Sequence, residues 1–253
     1  MRTEKFCLPF CSLSTVNLIL LEPDDFRSPH AVSLSGRRFR HIQEILAPDV
    51  GQRLRVGIIG GQTGSARVAA ITTERIELEV ELDQRPLPRP LPLTLLLALP
   101  RPKVLKRVLQ GVTAMGVKEI ILINSWRVDK SYWQSPLLDS DQLREQMILG
   151  LEQAQDTILP EIRLCQRFKP FVEDSLPQYL LQKRGYLAHP GAELPCPAAV
   201  NIPSLLAVGP EGGFIPYEVE SLIAAGLHPV HLGRRTLRVE TAVSALIGRM
   251  LPA

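Results

Sequence analysis

The sequence predicts an α/β protein with a β-rich amino-terminal part and a longer second part in which strands alternate with helices. The segments "QRLRVGIIGG", "TGSARVAAIT" and "RIELEVELD" are short, rich in β-branched residues and separated by glycine-containing turns. The stretch "DQRPLPRPLP", residues 83–92, carries four prolines and fits neither a helix nor a central strand. After it, apolar strands alternate with amphipathic segments, which indicates a mostly parallel sheet with helices on both faces.

The predicted organisation follows from these segments. Residues 17–84 are expected to form a small β-barrel or sandwich with one helix near residues 37–46, residues 85–92 a linker, and residues 93–253 the second domain. In that domain, strands are predicted at "LTLLLALP", "EIILIN", "EIRLC", "GYLAHPG", "SLLAVGP" and "PVHLG". Helices are predicted over "PKVLKRVLQGVTAMG", "DSDQLREQMILGLEQAQ", "SLPQYLLQKR", "IPYEVESLIAAG" and "ETAVSALIGRML".

Composition limits the kinds of function that the chain can have. The 29 Lys and Arg against 26 Asp and Glu give a net charge of +3, which permits local basic patches without a strongly basic whole. The four cysteines, Cys7, Cys11, Cys165 and Cys196, form no CxxC pair and no zinc-type spacing with histidine, which favours a reduced cytoplasmic protein without a metal. No apolar run is long enough to span a bilayer, so no membrane partner is expected. Residues 1–16 are expected to be a disordered or mis-started extension rather than a signal peptide.

A glycine-rich loop follows the predicted strand "SLLAVGP". In an open parallel sheet, ligands bind at the carboxyl ends of strands, and the segment "GPEGG", residues 209–213, lies at such an end. Its glycines let the backbone approach a ligand closely, but the segment matches neither phosphate-binding fingerprint, and Glu211 would repel an anion. The loop therefore favours a ligand with positive charge or hydrogen-bond donors. The alternative is a tight strand-to-helix turn in which Glu211 is only a charge in the first turn of the helix.

A second loop, in "HLGRRTLRVETAVSAL", places three arginines between the last strand and the last helix. Arg234, Arg235 and Arg238 lie within five positions and could hold RNA phosphates, polarise a base carbonyl, or pair with Glu211 and Glu240. Solvated surface charge is the alternative. The two loops follow the last two predicted strands of the same sheet. We therefore expect them to face one another across one crevice.

These loops also carry a family resemblance. "VGPEGGF" followed by "LGRRTLRVETA", together with "LALPRPKVLKRVLQGVTAMGVKEIILI" and "LEQAQDTILPEI", resembles the ribosomal RNA small-subunit methyltransferase E family of the SPOUT superfamily, over roughly residues 17–251. The resemblance implies a deep trefoil knot in the parallel sheet and an amino-terminal PUA-like RNA-binding barrel. It also implies methylation of N3 of a uridine in 16S ribosomal RNA of the small subunit, with S-adenosyl-L-methionine as donor, no metal, and a homodimer.

The resemblance further implies a set of site residues. The cofactor pocket would contain Leu187, Gly209, Pro210, Glu211, Gly212, Gly213, Leu232, Gly233, Leu237 and Arg238. Arg238 would stabilise the negative charge that spreads over the uridine carbonyls as N3 loses its proton. Glu211 would supply acceptors near the cationic sulfonium or fix an arginine.

Other basic and aromatic positions suggest RNA contacts. In the first domain, Arg37, Arg38 and Arg40 could follow RNA phosphates or cover a solvated helix face. In the second, the candidates are Arg127, Lys130, Arg234 and Arg235. In "SWRVDKSYW", Trp126, Tyr132 and Trp133 could stack on a base, or could be buried in the core or in a subunit contact. His189, in "LAHPG", has no partner at ligand spacing, so a structural role is favoured.

The chain also departs from the family pattern. Gly111 and Ala114 stand where the family usually has lysine and glutamate, and Gln155 and Asp156 stand near its usual arginine. These departures leave a different RNA target open. They also leave open a noncatalytic RNA-binding or ribosome-assembly protein on the same fold. An ordinary nucleotide-dependent enzyme is disfavoured because both phosphate fingerprints are missing.

Overall fold

The computed structural model describes residues 17–83 and 85–251, so the predicted extension, residues 1–16, lies outside the described residues. The chain divides into two compact units, Met1–Arg85 and Pro86–Ala253. The division falls inside the proline-rich stretch of residues 83–92. The last two residues of that stretch, Leu91 and Pro92, begin the strand Leu91–Ala98, so the expectation that none of it belongs to a central strand was wrong for them. Pro92 is accommodated where the register with the neighbouring strand shifts, between Leu91 and Thr94.

The first unit is built on a six-stranded mixed sheet in the order β1-β4-β5-β6-β3-β2. Only β1 and β4 pair in parallel among its described strands; the other neighbours are antiparallel. Its strands are β1 Ile19–Leu21, β2 Phe26–Ser28, β3 Ala31–Ser35, β4 Arg53–Ile58, β5 Thr63–Ile71 and β6 Arg75–Leu82. The helix predicted near residues 37–46 is confirmed as α1, Gly36–His41, continued by a π-helical turn over Ile42–Leu46.

Buried apolar and exposed polar residues alternate along the strands of the first unit. Along β6, Ile76, Leu78 and Val80 are buried while the glutamates between them are exposed. One face of a strand with this period packs on a core and the other meets water. The inward residues join Leu34, Leu54 and their neighbours in a core of this unit's own.

The second unit is an α/β fold on a six-stranded sheet in the order β12-β10-β11-β7-β8-β9, in which each neighbouring pair is parallel. Its strands are β7 Leu91–Ala98, β8 Val117–Ile123, β9 Glu161–Cys165, β10 Arg184–Ala188, β11 Ser204–Val208 and β12 His228–Val230. The central strand β11 is buried at every position, which explains its unbroken apolar sequence. The prediction of an α/β fold with a mostly parallel sheet is confirmed, whereas the trefoil knot and the PUA-like barrel stay predictions.

The α-helices of the second unit lie between its strands in the chain, except the last one, which follows β12. They are α2 Pro102–Ala114, α3 Ser140–Ala154, α4 Phe168–Pro170, α5 Leu176–Leu180, α6 Pro216–Ala224 and α7 Val239–Met250, with a π-helical turn, Phe171–Ser175, joining α4 to α5. Both α2 and α6 begin with a proline, where the missing N–H has no intrahelical partner to lose. Gly150 lets α3 approach α2 closely, since a Cβ there would lie 2.5 Å from the Gln110 carbonyl oxygen.

One departure from the family pattern has a structural explanation. Asp156 is 2% exposed and its carboxylate lies 2.5 Å from Lys118 Nζ. Asp156 also accepts the backbone N–H of Ile158 at 2.9 Å, while Lys118 donates to the Ile158 carbonyl at 2.6 Å. Buried charges in proteins are paired in this way because an unpaired one is costly. The aspartate therefore pairs with a lysine of β8 and takes part in holding the end of α3 against the sheet.

Candidate active site

A cavity of about 350 Å³ opens at the carboxyl ends of β10, β11 and β12. Three loops and the first turns of α7 line it, over residues 188–190, 208–214, 230–233 and 235–237 and at Val239, Ala242 and Leu246, together with Arg127 from the turn after β8. The glycine-rich loop and the arginine-containing loop thus line the same cavity. Ligands of open parallel sheets bind at this edge because the strand ends and helix amino termini converge there.

The glycine-rich loop, residues 209–213, is folded more tightly than other residue types would allow. A Cβ on Gly209 would lie 3.1 Å from the Phe214 nitrogen and 3.3 Å from the Gly213 Cα. Gly213 has a φ of +71° and donates its N–H to the Pro210 carbonyl at 2.8 Å. Side chains at these positions would clash or strain the turn, so the backbone itself forms this wall of the cavity.

Glu211 lies on the cavity wall, and its carboxylate has a partner that the sequence did not indicate. Its Oε1 accepts the backbone N–H of Arg101, the residue that precedes α2, at 3.1 Å. Glu240 likewise lies 3.7 Å from Arg107 of α2. Pairing with these two carboxylates was one of three possibilities for the arginines of the second loop. Glu211 and Glu240 instead contact Arg101, which precedes α2, and Arg107 within α2.

A buried glutamate joins the start of α6 to the turn that follows β8. Glu218 is 3% exposed, and its two oxygens accept the backbone N–H of Ile215 at 3.0 Å and that of Trp126 at 2.7 Å. Next to Trp126, Arg127 Nη1 donates to the carbonyl oxygen of Gly212. The turn after β8 is thus held against the start of α6 and against the loop that lines the cavity.

Two histidines on the cavity wall make the same local contact. His231 Nδ1 accepts the backbone N–H of Gly233 at 2.8 Å, and His189 Nδ1 accepts that of Gly191 at 3.1 Å. Gly233 has a φ of +107°, which only glycine adopts readily. His189 makes a local backbone contact but also lies on the cavity wall, so the structural role favoured for it stays a prediction, and His231 was missed. The repeated pattern His-x-Gly after a strand, "HPG" and "HLG", was the available signal.

The cavity brings together most of the predicted cofactor residues. On its wall are Gly209, Pro210, Glu211, Gly212, Gly213, Leu232, Gly233 and Leu237, together with Arg127 and Arg235. Leu187 is fully buried, and its neighbour Ala188 lines the cavity in its place. Lys130, Arg234 and Arg238 are exposed and are not part of the wall, although Arg238 is the residue from which α7 begins.

Of the basic residues predicted to bind RNA in the first unit, Arg38 has a structural role. Its two guanidinium nitrogens lie 2.5 Å from the two carboxylate oxygens of Asp25, which is 7% exposed. This bidentate pair fixes the helix against the short strands of the unit. Arg37 and Arg40 on the same helix are exposed.

Titratable groups elsewhere in the second unit serve the fold. Burial raises the pKa of the Cys196 thiol and that of the Cys165 thiol. Burial also acts to raise the pKa of Glu119, but hydrogen bonds from Lys183 and Thr94 outweigh it and hold that pKa below the usual value.

Within residues 17–83 and 85–251, no three His, Cys, Asp or Glu side chains are placed to hold a metal ion. No helix in this part of the chain is long and apolar enough to cross a membrane.

The parallel sheet and its loop-lined cavity are those of an RNA methyltransferase domain, and residues 87–251 match the family described in those words. The ribosomal RNA small subunit methyltransferase E of Treponema pallidum (strain Nichols) is 32% identical over 240 residues, which span 91% of this chain and 88% of that protein. The corresponding enzyme 1 of Borreliella burgdorferi is 25% identical over 234 residues, which span 91% of this chain and 95% of that protein. This chain belongs to the ribosomal RNA small subunit methyltransferase E family.

A solved structure of the same kind agrees with the fold. The ribosomal RNA small subunit methyltransferase E of Neisseria gonorrhoeae, bound to S-adenosyl methionine, superposes with a TM-score of 0.73 at 22% identity. The match covers 91% of this chain and 94% of the other.

Proposed function

We propose that this protein methylates N3 of a uridine in 16S ribosomal RNA, using S-adenosyl-L-methionine as the methyl donor. The observation that carries the proposal is the cavity of about 350 Å³ whose walls are the two loops of the family signature. The names of the Treponema and Borreliella relatives support small-subunit ribosomal RNA as substrate. The donor bound in the Neisseria structure supports S-adenosyl-L-methionine.

The residues of the cavity fit this donor. The volume falls within the range of about 300–1,000 Å³ that small-molecule pockets occupy. Apolar side chains such as Val208, Leu232 and Leu246 suit the flat adenine ring, and the glycine loops expose backbone donors and acceptors to its polar edges. Glu211 places a carboxylate on the wall, which favours a cation over an anion. When bound, the donor supplies a methyl group on a positively charged sulfur.

The reaction then requires that negative charge on the uridine be stabilised. N3 carries a proton and is a poor nucleophile until that proton leaves, after which charge spreads over the two ring carbonyls. We assign its stabilisation to Arg238, at the start of α7, with Arg235 on the cavity wall beside it. A base inside a folded RNA must be exposed before it can reach the cavity.

Contacts with the rest of the RNA are assigned to exposed basic residues. Residues 17–84 would form the PUA-like RNA-binding domain, residues 85–90 the linker, and the chain from β7 onwards the SPOUT methyltransferase domain. In this arrangement Arg37 and Arg40 bind phosphates from the first domain, and Arg127, Lys130 and Arg234 do so around the cavity. Arg38 is left out of this set because it pairs with Asp25. We also propose a homodimer through the second domain and a location in the cytoplasm, where ribosomal RNA is found.

The departures from the family pattern do not weaken the proposal at the cavity. Asp156 pairs with Lys118, and neither it nor Gly111 lines the cavity. A Cβ on Gly111 would meet nothing within 4 Å, so the glycine leaves room rather than making a contact. These positions bear on the choice of RNA target more directly than on the binding of the donor.

The test separates binding of the donor from methyl transfer. Purified protein is incubated with radiolabelled S-adenosyl-L-methionine and unmodified small subunits, and the product nucleotide is mapped by mass spectrometry. A methyl group on N3 of one uridine is expected. Binding of the donor without transfer to any RNA would instead favour the noncatalytic ribosome-assembly protein.

The same assay tests the assignment of Arg238. We expect Arg238→Ala to slow transfer by about 100- to 1,000-fold, the loss typical of removing one donor to a developing oxyanion, with the affinity for the methyl donor unchanged. Arg249→Ala would not be a suitable control because its Nε donates to the Cys196 carbonyl. The control is Arg89→Ala, an exposed arginine just before β7, at the end of the parallel sheet opposite the cavity. Equal rates for Arg238→Ala and Arg89→Ala would refute the assignment.

A further inference from the structure

Trp126 is the most exposed large apolar side chain among the described residues, at 80%. The other two aromatic residues of "SWRVDKSYW" behave differently. Tyr132 and Trp133 are partly buried and pack against the core, and Trp133 Nε1 donates to Asn124 Oδ1 at 2.9 Å. Of the two readings that the sequence left open, burial applies to Tyr132 and Trp133 and leaves Trp126 with its indole in solvent.

The backbone that carries this exposed side chain is firmly held. Trp126 donates its N–H to the buried carboxylate of Glu218 at 2.7 Å. Val128 donates to the Ser125 carbonyl at 3.0 Å, which closes a turn around the tryptophan, and Arg127 donates to the Gly212 carbonyl. An aromatic ring on a turn that is already fixed can bind a partner with little loss of conformational entropy.

The turn also places Trp126 beside the cavity wall. Arg127 lines the cavity, and the Cα atoms of consecutive residues are about 3.8 Å apart, so the backbone of Trp126 lies next to the cavity edge. Because its side chain is exposed, the indole is available to a base that approaches the cavity.

The chemistry of the turn selects the partner. Trp126 is followed by the exposed cations Arg127 and Lys130, and aromatic rings interleaved with cations bind single-stranded nucleic acid by stacking and by charge. The core of a protein–protein interface is depleted in lysine, which makes a contact between chains the less suitable role.

We propose that the indole of Trp126 stacks on an unpaired base of the substrate RNA at the mouth of the cavity. The proposal rests on the proposed function, since it takes RNA as the substrate. Stacking here would hold the target base, or the nucleotide beside it, while the methyl group is transferred. Sequence-tolerant stacking of this kind contributes affinity for the RNA and leaves the affinity for the methyl donor alone.

The test compares Trp126→Ala, Trp126→Phe and the wild-type protein, with Leu181→Ala as the control. Leu181 is 75% exposed and lies just before β10, at the opposite end of the parallel sheet from the cavity. Measured for each are kcat/KM for small subunits, affinity for a uridine-rich single-stranded RNA, affinity for the methyl donor, and molar mass by light scattering.

We expect Trp126→Ala to lower kcat/KM and RNA affinity by about 5- to 150-fold, the range of one base–aromatic stack. Trp126→Phe should recover most of this loss, and affinity for the donor should be the same in all variants. Quenching of tryptophan fluorescence by the RNA should diminish in Trp126→Phe.

Two outcomes would overturn the proposal. One is equal behaviour of Trp126→Ala and Leu181→Ala towards RNA. The other is a loss that tracks a lower molar mass, which would assign the indole to a contact between chains. If the wild-type protein transfers no methyl group, the proposed function fails, and the RNA affinities alone decide whether the indole stacks.

Discussion

Replacing Glu218 by glutamine should destabilise the second unit and release the turn that carries Trp126. The carboxylate has two oxygens and uses each to accept one backbone N–H, from Ile215 at 3.0 Å and from Trp126 at 2.7 Å. A glutamine keeps one acceptor oxygen and turns its NH₂ group towards the second N–H. One charge-assisted hydrogen bond is then lost and one buried N–H is left without an acceptor, at a cost of about 2–3 kcal/mol.

The assay is thermal unfolding, combined with hydrogen exchange at the backbone amide of residue 126. In a chain of this size about 1 kcal/mol lowers the melting temperature by roughly 2–4 °C, so Glu218→Gln should lower it by about 4–12 °C. The matched control is Glu220→Gln, an exposed glutamate two residues further along α6. Exchange at residue 126 should accelerate in Glu218→Gln alone. If the two variants have the same melting temperature and the amide of residue 126 exchanges at the same rate in both, the role given to Glu218 is refuted.

Three further changes test other contacts. Gly209→Ala should weaken binding of the methyl donor, because the new Cβ would lie 3.1 Å from the Phe214 nitrogen and push the loop outward; calorimetry measures the loss. Asp156→Ala should destabilise the protein by about 3–5 kcal/mol in urea unfolding, because it leaves the Lys118 charge without its buried partner. Glu119→Gln should flatten the pH dependence of stability. Hydrogen bonds from Lys183 and Thr94 hold the pKa of Glu119 below its usual value, so its contribution is fully present above that usual value and is lost as the pH falls through the lowered pKa.

Each of these changes has a matched control. Gly111→Ala in α2 adds a methyl group in open space and should leave donor binding intact. Asp174→Ala removes an exposed carboxylate and should cost far less than Asp156→Ala. Glu193→Gln, also exposed, should leave the slope of stability against pH unchanged. Any control that matches its partner variant would show that the named contact is not the cause.

Local features of the sequence predicted much of the fold. The proline-rich stretch marked where the compact units divide, and unbroken apolar runs such as β11 indicated strands buried on both faces. These signals are local because strand burial and proline geometry act within a few residues. The order in which the six strands lie side by side depends on pairing between distant segments, and periodicity carries no information about that order.

The same distinction applies to the site. The glycines of residues 209–213 and the arginines of the second loop are visible as motifs, and both loops line the cavity. Their supporting contacts are not visible, because Glu211 meets the backbone of Arg101 over 110 positions and Glu218 meets that of Trp126 over 92. A backbone N–H group cannot be recognised from the sequence, because every residue except proline carries one.

The hydrogen bonds that His189 and His231 accept from nearby glycines restrict the chemistry that the two imidazole rings can perform on a substrate. In each ring Nδ1 uses its lone pair to accept a glycine N–H, so the ring hydrogen lies on Nε2. Whatever approaches the outer nitrogen of either ring meets a hydrogen and not a lone pair. As long as these two contacts hold, neither imidazole can act as the base in the proposed methylation of a uridine, and each can only donate a hydrogen bond to an oxygen or an anionic group.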